Sequence, residues 1–264
     1  MLNALAPARR RFVLGATALA IAAVIVGAAA IVARSNRTAA ADPVNQQKPG
    51  PVLLVPGYGG SEAALRQLEV TLSQHGRTAS VVHLAGDGTG DLRSQVPVLD
   101  RAVRAALRQS GASSVDVIGY SAGGVIARLW VADGGASLAR RVVMLGTPNH
   151  GTDLAGLASS VVPDFCPSAC QQLAPDSDLI RRLNAGDETP SGPSWVSVWS
   201  DDDRVVFPPD SASLDGALDI SIQSVCGNVG DVSHGDLPTD GAVVSLVLDL
   251  LGPGPPVMPT SADC

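Results

Sequence analysis

Short, unbroken apolar runs alternate with stretches of helical spacing along most of this chain of 264 residues. Val52-Leu53-Leu54-Val55, Ala79–Leu84, Val115–Ile118, Arg141–Leu145, Trp195–Trp199 and Ile220–Val225 read as six strands. Between them, Ala63–Leu72, Val96–Leu107, a helix opening over Val125–Val131, and Ala242–Leu251 carry apolar residues at helical spacing. A strand that lacks polar alternation must be covered on both faces, and helices that alternate with such strands supply the cover. The expected fold class is therefore α/β, a mostly parallel central sheet with helices on both faces. Ser61 reads as the cap of the first helix and Gly76 as its stop, and Arg101, Arg104 and Arg108 share one face of the second.

Residues 149–194 break the rhythm. They are rich in Gly, Pro and Ser and carry one clear helix, Ser177–Asn184, with Asp176 as its cap and Gly186 as its stop. An excursion of this length inside a compact domain is more often functional than connective, and a lid is one such use. Its apolar residues Leu154, Leu157, Val161, Val162 and Phe165 either present a surface to an apolar ligand or fill core.

The charge is split along the chain. Residues 1–41 hold Arg9, Arg10, Arg11, Arg34 and Arg37 and no acid, leaving 13 basic against 25 acidic residues in the rest. Phe12–Ala33 is a 22-residue run without a charge. It is long enough to cross a bilayer, and the arginine cluster ahead of it would stay on the cytoplasmic side. Ala39-Ala40-Ala41 also offers a signal-peptide cleavage site. Residues 1–41 are thus a signal anchor or a signal peptide. Residues 42–50 follow as a polar linker, and 51–264 form one exported domain, tethered to the membrane or secreted after cleavage at Ala41. An acidic domain without a basic face argues against nucleic-acid binding, and a monomer is expected.

The four cysteines fit export. An even number in an exported chain suggests disulfides. The expected pairs are Cys166–Cys170, closing a short loop, and Cys226–Cys264, tying down an end. A zinc site is not expected, because no His lies at ligand spacing from Cys226 or Cys264. No metal and no cofactor is expected.

Gly119-Tyr120-Ser121-Ala122-Gly123 matches G-x-S-x-G between a strand and a helix, the setting of a nucleophile elbow. A serine there needs a base and an acid, which follow it in that order in this architecture. His75 and His83 precede Ser121, and His150 follows too soon for an acid to intervene. His234 remains, in a loop after the sixth strand. Asp201, Asp202 and Asp203 stand just after the fifth strand, where the acid belongs. Asp203 is the expected acid and Asp202 the second choice. The oxyanion donors are expected to be the N–H of Ala122 and that of Tyr58, with Gly57 second, in the loop Pro56-Gly57-Tyr58-Gly59-Gly60.

Further segments join these. They are PVLLVPGYGGS (51–61), DGTGDL (87–92), VDVIGYSAGG (115–124), LGTPNHGTDLAG (145–156), CPSACQQLAPDSDLIRRLN (166–184), SVWSDDDRVVFPPDSASL (197–214) and VSHGDLPTD (232–240). In this order they resemble exported actinobacterial-type lipases and esterases of the α/β-hydrolase superfamily. The resemblance implies the α/β-hydrolase fold with a lid-like insertion at about 149–194. It also implies a Ser121-Asp203-His234 triad, and it favours Asp203 because such lipases place the acid two residues before a V-V-x-P run. Two positions depart from the pattern. Pro56-Gly57 stands where many relatives have His-Gly, and Tyr120 and Ala122 stand where His and Gln are common.

The expected function is hydrolysis of a carboxylic ester, of a lipid or a short acyl chain, through an acyl-enzyme. Acyl transfer at the cell envelope on the same triad is the alternative, and a non-catalytic, membrane-tethered binding module is the remaining one. Aromatic residues are only 3% of the chain, so an acyl pocket would be built mainly from Leu, Val, Ile and Ala.

Overall fold

The computed structural model describes residues 42–264; the apolar run 12–33 and the alanines of the expected cleavage site lie outside them. Six strands form one sheet in the order β2-β1-β3-β4-β5-β6, with every neighbouring pair parallel. They are β1 (Val52–Val55), β2 (Ala79–Val81), β3 (Val115–Tyr120), β4 (Ala139–Leu145), β5 (Ser194–Trp199) and β6 (Leu218–Ser221). β3 and β4 lie at the centre and nearly all of their residues are buried, the apolar stretches in the sheet's core and Asp116, Arg140 and Arg141 near the strands' N-terminal ends.

Alternation within each strand divides the core in two. Leu53, Val55, Val117, Val142 and Met144 face α2 (Val96–Ser110) and α3 (Ala122–Trp130). Leu54, Ile118, Val143 and Leu145 face α1 (Ala63–Gln74) and α8 (Gly241–Leu250). α1 docks through Leu65, Leu68 and Leu72, one turn apart on one stripe and almost fully buried. Each such leucine contributes about 1.5–3 kcal/mol through burial. In α2, Val96, Leu99 and Val103 do the same, while Arg101, Arg104 and Arg108 lie on the exposed side as the spacing predicts.

Some local expectations are corrected. β2 is three residues long rather than six, because the chain leaves the sheet edge after Val81. The run Ile220–Val225 is not one strand. β6 ends at Ser221 and Ile222–Val225 closes a helical turn, α7. A short apolar run of this kind suits either state, and the tertiary setting decides it. Glu62, not Ser61, precedes α1, and its carboxylate turns to Arg66 and to His83 Nδ1 at 2.8 Å instead of capping the helix. Gly76 does stop α1 in the left-handed conformation, at φ 75°.

The excursion between β4 and β5 is more helical than its sequence suggests. It contains α4 (Asp153–Val161), α5 (Ser168–Gln172) and α6 (Asp178–Leu183). The cap of α6 is Ser177, whose Oγ accepts from Ile180 N–H at 3.2 Å, rather than Asp176. Ala155, Ala169, Leu173, Leu179 and Ile180 join the core on the α2–α3 side. Leu154, Leu157, Val161, Val162 and Phe165 are all exposed, Phe165 at 86%. Their expected alternative, core packing, is therefore not what they do.

The opposite end of the sheet is locked by charge. Arg140 donates both to Asp116 Oδ1 (2.7 Å) and to Oδ2 (2.6 Å), and Arg77 shares Oδ2. Arg77, Arg140 and Arg141 also donate to the carbonyls of Leu250, Leu251 and Gly252 at the C-terminal end of α8. Those carbonyls have no helical partner and carry the negative end of the dipole, so cations suit them. Residues 42–50, read as a linker, reach the same cluster: Gln46 accepts from Arg140 and Arg141.

Both expected disulfides are formed. Cys166 is bonded to Cys170 and Cys226 to Cys264. Among the described residues no helix is long and apolar enough to cross a membrane. The Cys226–Cys264 bridge spans 38 positions, and closing such a loop stabilises by about 4 kcal/mol in the chain-entropy account. The double variant Cys226→Ser, Cys264→Ser is expected to lower Tm by about 5–15 °C in thermal denaturation. The four-residue Cys166–Cys170 loop is expected to matter less in the same measurement.

Candidate active site

All the elements of the site stand at the C-terminal ends of parallel strands, the end where open α/β sheets bind ligands. Ser121 follows β3, the loop Pro56–Gly60 follows β1, Asp203 follows β5, and His234 follows β6 and α7.

Ser121 occupies the junction between β3 and α3 with φ 52° and ψ −128°. It is the one non-glycine residue with positive φ among the described residues. Such a backbone costs about 1–3 kcal/mol and persists only where its surroundings enforce it. Ser121 N–H donates to Leu145 O (2.8 Å), and Thr147 Oγ1 donates to Ser121 O (3.0 Å). Tight helix–strand approach does the rest. A Cβ at Gly119 would lie 2.4 Å from Gly124 Cα, and one at Gly123 would lie 2.1 Å from Val55 O. The glycines of the motif are there for this contact. The first N–H groups of a helix have no partner inside it, and α3 begins directly after Ser121.

The three adjacent aspartates separate. Asp203 is 2% exposed, and its Oδ2 lies 2.6 Å from His234 Nδ1. Its Oδ1 accepts from Val205 N–H (2.8 Å) and Val206 N–H (2.9 Å), which fixes the carboxylate's orientation. Asp202 accepts instead from Gln223 Nε2 (2.8 Å), and Asp201 from Ser221 Oγ (2.8 Å). Asp203 is thus the one acid of the three on the histidine. A carboxylate only accepts, so Nδ1 carries the proton and Nε2 is left with a lone pair. His234 is buried, and its loop is held at Ser233 by Asp236, whose carboxylate accepts from Ser233 N–H at 3.2 Å.

Ser121 and this pair meet at one short segment, Leu145-Gly146-Thr147. Its two ends bond Ser121, as given above. A Cβ on its middle residue would stand 3.2 Å from both Asp203 Oδ2 and His234 Nδ1. Gly146 is a site residue that the sequence reading passed over. Its signal was the Gly after the fourth strand, in the position matching that of Ser121 after the third. No hydrogen bond joins Ser121 Oγ to His234 among the described residues; in free enzymes such contacts are often long and tighten on binding.

The expected oxyanion loop is adjacent. A Cβ at Gly57 would lie 2.9 Å from Ser121 Cβ and 3.4 Å from its Oγ, so this loop's backbone runs directly over the hydroxyl. Gly60 N–H closes a turn onto Gly57 O (3.0 Å), and Gly59 N–H reaches Gly88 O (3.3 Å). Gly88 leaves no room for a side chain, since its Cβ would sit 2.5 Å from Gly60 N. This explains part of the DGTGDL segment: it supports the Tyr58 loop from behind.

The remaining histidines are elsewhere. His150 bonds Glu188 Oε1 through Nε2 (3.1 Å) at the start of the excursion, and His75 and His83 are exposed. Among the described residues no group of three or more His, Cys, Asp or Glu is placed to hold a metal ion.

Gly146 has φ 55°, and a Cβ there would also meet Leu237 Cδ1 at 2.5 Å. Gly146→Ala is therefore expected to destabilise the protein by about 1–3 kcal/mol, read from the midpoint of a denaturant titration.

Comparison with known proteins bears on the fold and the family. The family model for lipase (class 2) matches residues 95–227, half of the chain. The match includes Ser121 and Asp203 and leaves Tyr58 and His234 outside. A triacylglycerol lipase of Burkholderia plantarii is 29% identical over 180 residues, covering 60% of this chain and 49% of its own length. A triacylglycerol lipase of Pseudarthrobacter phenanthrenivorans is 31% identical over 137 residues, covering 44% and 42%. The chain thus spans about half the length of these curated relatives or less. Among solved structures, Aspergillus fumigatus lipase B superposes with a TM-score of 0.66 at 19% identity, over 79% of this chain and 54% of that one. The mature form of Bacillus licheniformis lipase BlEst2 gives 0.64 at 18% identity, over 80% and 96%. These likenesses establish the α/β-hydrolase fold, and with the matching family model, the chain belongs to the lipase (class 2) family.

Proposed function

We propose that this protein hydrolyses carboxylic esters of lipids or short acyl chains through an acyl-enzyme on Ser121, with Asp203 and His234 as acid and base. The observation that carries the proposal is the 2.6 Å Asp203–His234 pair, set beside a serine held at φ 52° on a strand–helix elbow. In the first step His234 Nε2 takes the Ser121 hydroxyl proton as Oγ attacks the ester carbonyl. Asp203 holds the imidazole tautomer and stabilises the imidazolium that forms. The N–H groups of Ala122 and Tyr58 face the oxygen on which charge develops, Ala122 at the start of α3 and Tyr58 in the loop above Gly57. His234 then protonates the departing alcohol. Water attacks the acyl-enzyme by the same route and releases the acid.

An ester of a lipid suits the surroundings. Val205 and Phe207, just after Asp203, are exposed apolar residues, as are Tyr58 and the outer residues of α4. Thr152, which opens α4, donates through Oγ1 to Val205 O (2.7 Å), so this apolar ground is continuous with the acid's own loop. The two curated relatives are both triacylglycerol lipases, which supports the same substrate class. Export is supported by the two disulfides, which persist in oxidising compartments. The apolar run 12–33 would anchor the domain outside the membrane or leave it free after cleavage at Ala41.

With p-nitrophenyl esters of increasing acyl length, residues 42–264 are expected to show serine-dependent turnover, and Ser121→Ala to lower kcat by roughly 10⁴–10⁶-fold. Asp203→Asn is expected to lower it about 10²–10⁴-fold, while Asp202→Asn leaves it within about threefold. A folded Ser121→Ala protein with wild-type turnover would overturn the assignment.

A further inference from the structure

Tyr120 departs from the residue common at its place in the elbow, and the mechanism above gives it no role. It is the last residue of β3, and its side chain packs on the α1–α8 face of the sheet, beneath the loop that carries His234. Two contacts tie it to that histidine. Its hydroxyl donates to the His234 carbonyl oxygen at 3.1 Å, and its ring centre stands 5.2 Å from the imidazole centre with the planes tilted by 32°. From these we infer that Tyr120 is a positioning residue: it fixes the backbone and ring of His234 relative to Ser121, its own neighbour in the chain. The inference rests on the ester-hydrolase reading of the site and adds to it a device for aligning the base.

The loop needs such a device. His234 lies between the Cys226 disulfide and α8, in a stretch whose regular structure is limited to one short turn at His234–Asp236. Asp203 holds Nδ1, one point on the ring. Tyr120 supplies the second and third points, one on the backbone and one on the ring face. Because Tyr120 and Ser121 are consecutive, any shift of the elbow moves the nucleophile and the support of the base together. The charges that face the phenol are Asp203 and Asp236, with the His234 imidazole against its ring. Burial first, and then these two carboxylates, push the phenol up to about 12. It therefore remains a donor throughout the range in which an imidazole can act as base.

The test compares Tyr120→Phe, which deletes the hydroxyl and keeps the ring, with Tyr120→Leu, which deletes both. In Tyr120→Phe, kcat on a p-nitrophenyl ester is expected to fall about 3–10-fold with KM within twofold, since one ordering hydrogen bond is lost. Tyr120→Leu is expected to fall further, and neither change should approach the loss in Ser121→Ala. A second readout needs no turnover. The proton held between His234 Nδ1 and Asp203 gives a downfield proton NMR resonance, expected to broaden and exchange faster in Tyr120→Phe. Unchanged kcat and an unchanged resonance in folded Tyr120→Phe would overturn the inference, as would a change in KM alone. Failure of the ester-hydrolase reading looks different: the wild-type protein would not turn over the ester, and the resonance would still report whether Tyr120 orders His234.

Discussion

The backbone of Ser121 is held where a residue with a side chain rarely rests, and most of the site follows from how it is held there. A φ of 52° at the end of a parallel strand turns the chain sharply into α3 and leaves the serine at the C-terminal end of the sheet. The turn closes only if α3 comes almost into backbone contact with β1 and β3, which Gly119 and Gly123 permit, while Gly124 leaves room for Thr147. That same closeness brings the start of α3 against the end of β1, so the loop after β1 passes directly over the serine. The proposed oxyanion corner and the proposed nucleophile are therefore products of one packing event. A substitution that relaxed the elbow would also separate Gly57 from Ser121.

Strain at one end of a sheet is tolerable when the other end is rigid. Asp116 and the buried Arg140 and Arg141 lie at the N-terminal ends of the central strands, opposite the site, and the half-buried Arg77 joins them from the turn before β2. Burial and the neighbouring Arg140 bring the Arg141 guanidinium down to about 10, the signature of a cation removed from water with too little opposing charge. Replacing Asp116 would leave the arginines uncompensated, a change that typically costs about 3–5 kcal/mol. Because the carbonyls of α8 are the acceptors, the cluster holds the helix that follows the His234 loop. Stability devices and chemical groups thus occupy opposite ends of the same strands.

How much of this was legible in the sequence follows from how local each signal is. Strands β1, β3, β4 and β5 were readable to within a few residues because two-sided burial demands continuous apolar runs. The elbow was readable because its glycines flank the serine at fixed spacing between a strand and a helix, although Gly123 also serves a contact with the distant Val55. The disulfide pairs were readable from order and context. The helices α4 and α5 were not, since Ala, Gly and Ser dominate them and their inward stripe is only Ala155 and Ala169. Gly146 escaped because its partners, Asp203, His234 and Leu237, are distant in sequence. The acids at 201–203 could be ranked only through the register of the following V-V-x-P run. Their actual separation depends on Ser221 and Gln223, which capture Asp201 and Asp202 from the next strand and helix.

The excursion between β4 and β5 is fastened in a way that its sequence does not announce. Arg128, on α3, is buried, and among the described residues its hydrogen-bond partners are carbonyl and amide oxygens. Burial lowers its guanidinium to about 10. It donates to Asn149 O (3.1 Å) near the start of the excursion, and to Leu183 O (3.4 Å) and Asn184 Oδ1 (2.7 Å) near its end. Asn184 Nδ2 in turn donates to Asn149 O (3.0 Å), so both ends converge on one side chain of the helix that begins at the nucleophile. A buried cation is a costly fastener, and its Nε has no partner among the described residues. Its use is understandable if the ends must not drift, because Thr152 and His150 lie just inside them and hold Val205 and Glu188. The fixed ends set the acid's loop in place. The stretch between them is then left to present Leu154, Leu157, Val161 and Phe165 outward, apolar residues that contribute nothing to holding the excursion on the core.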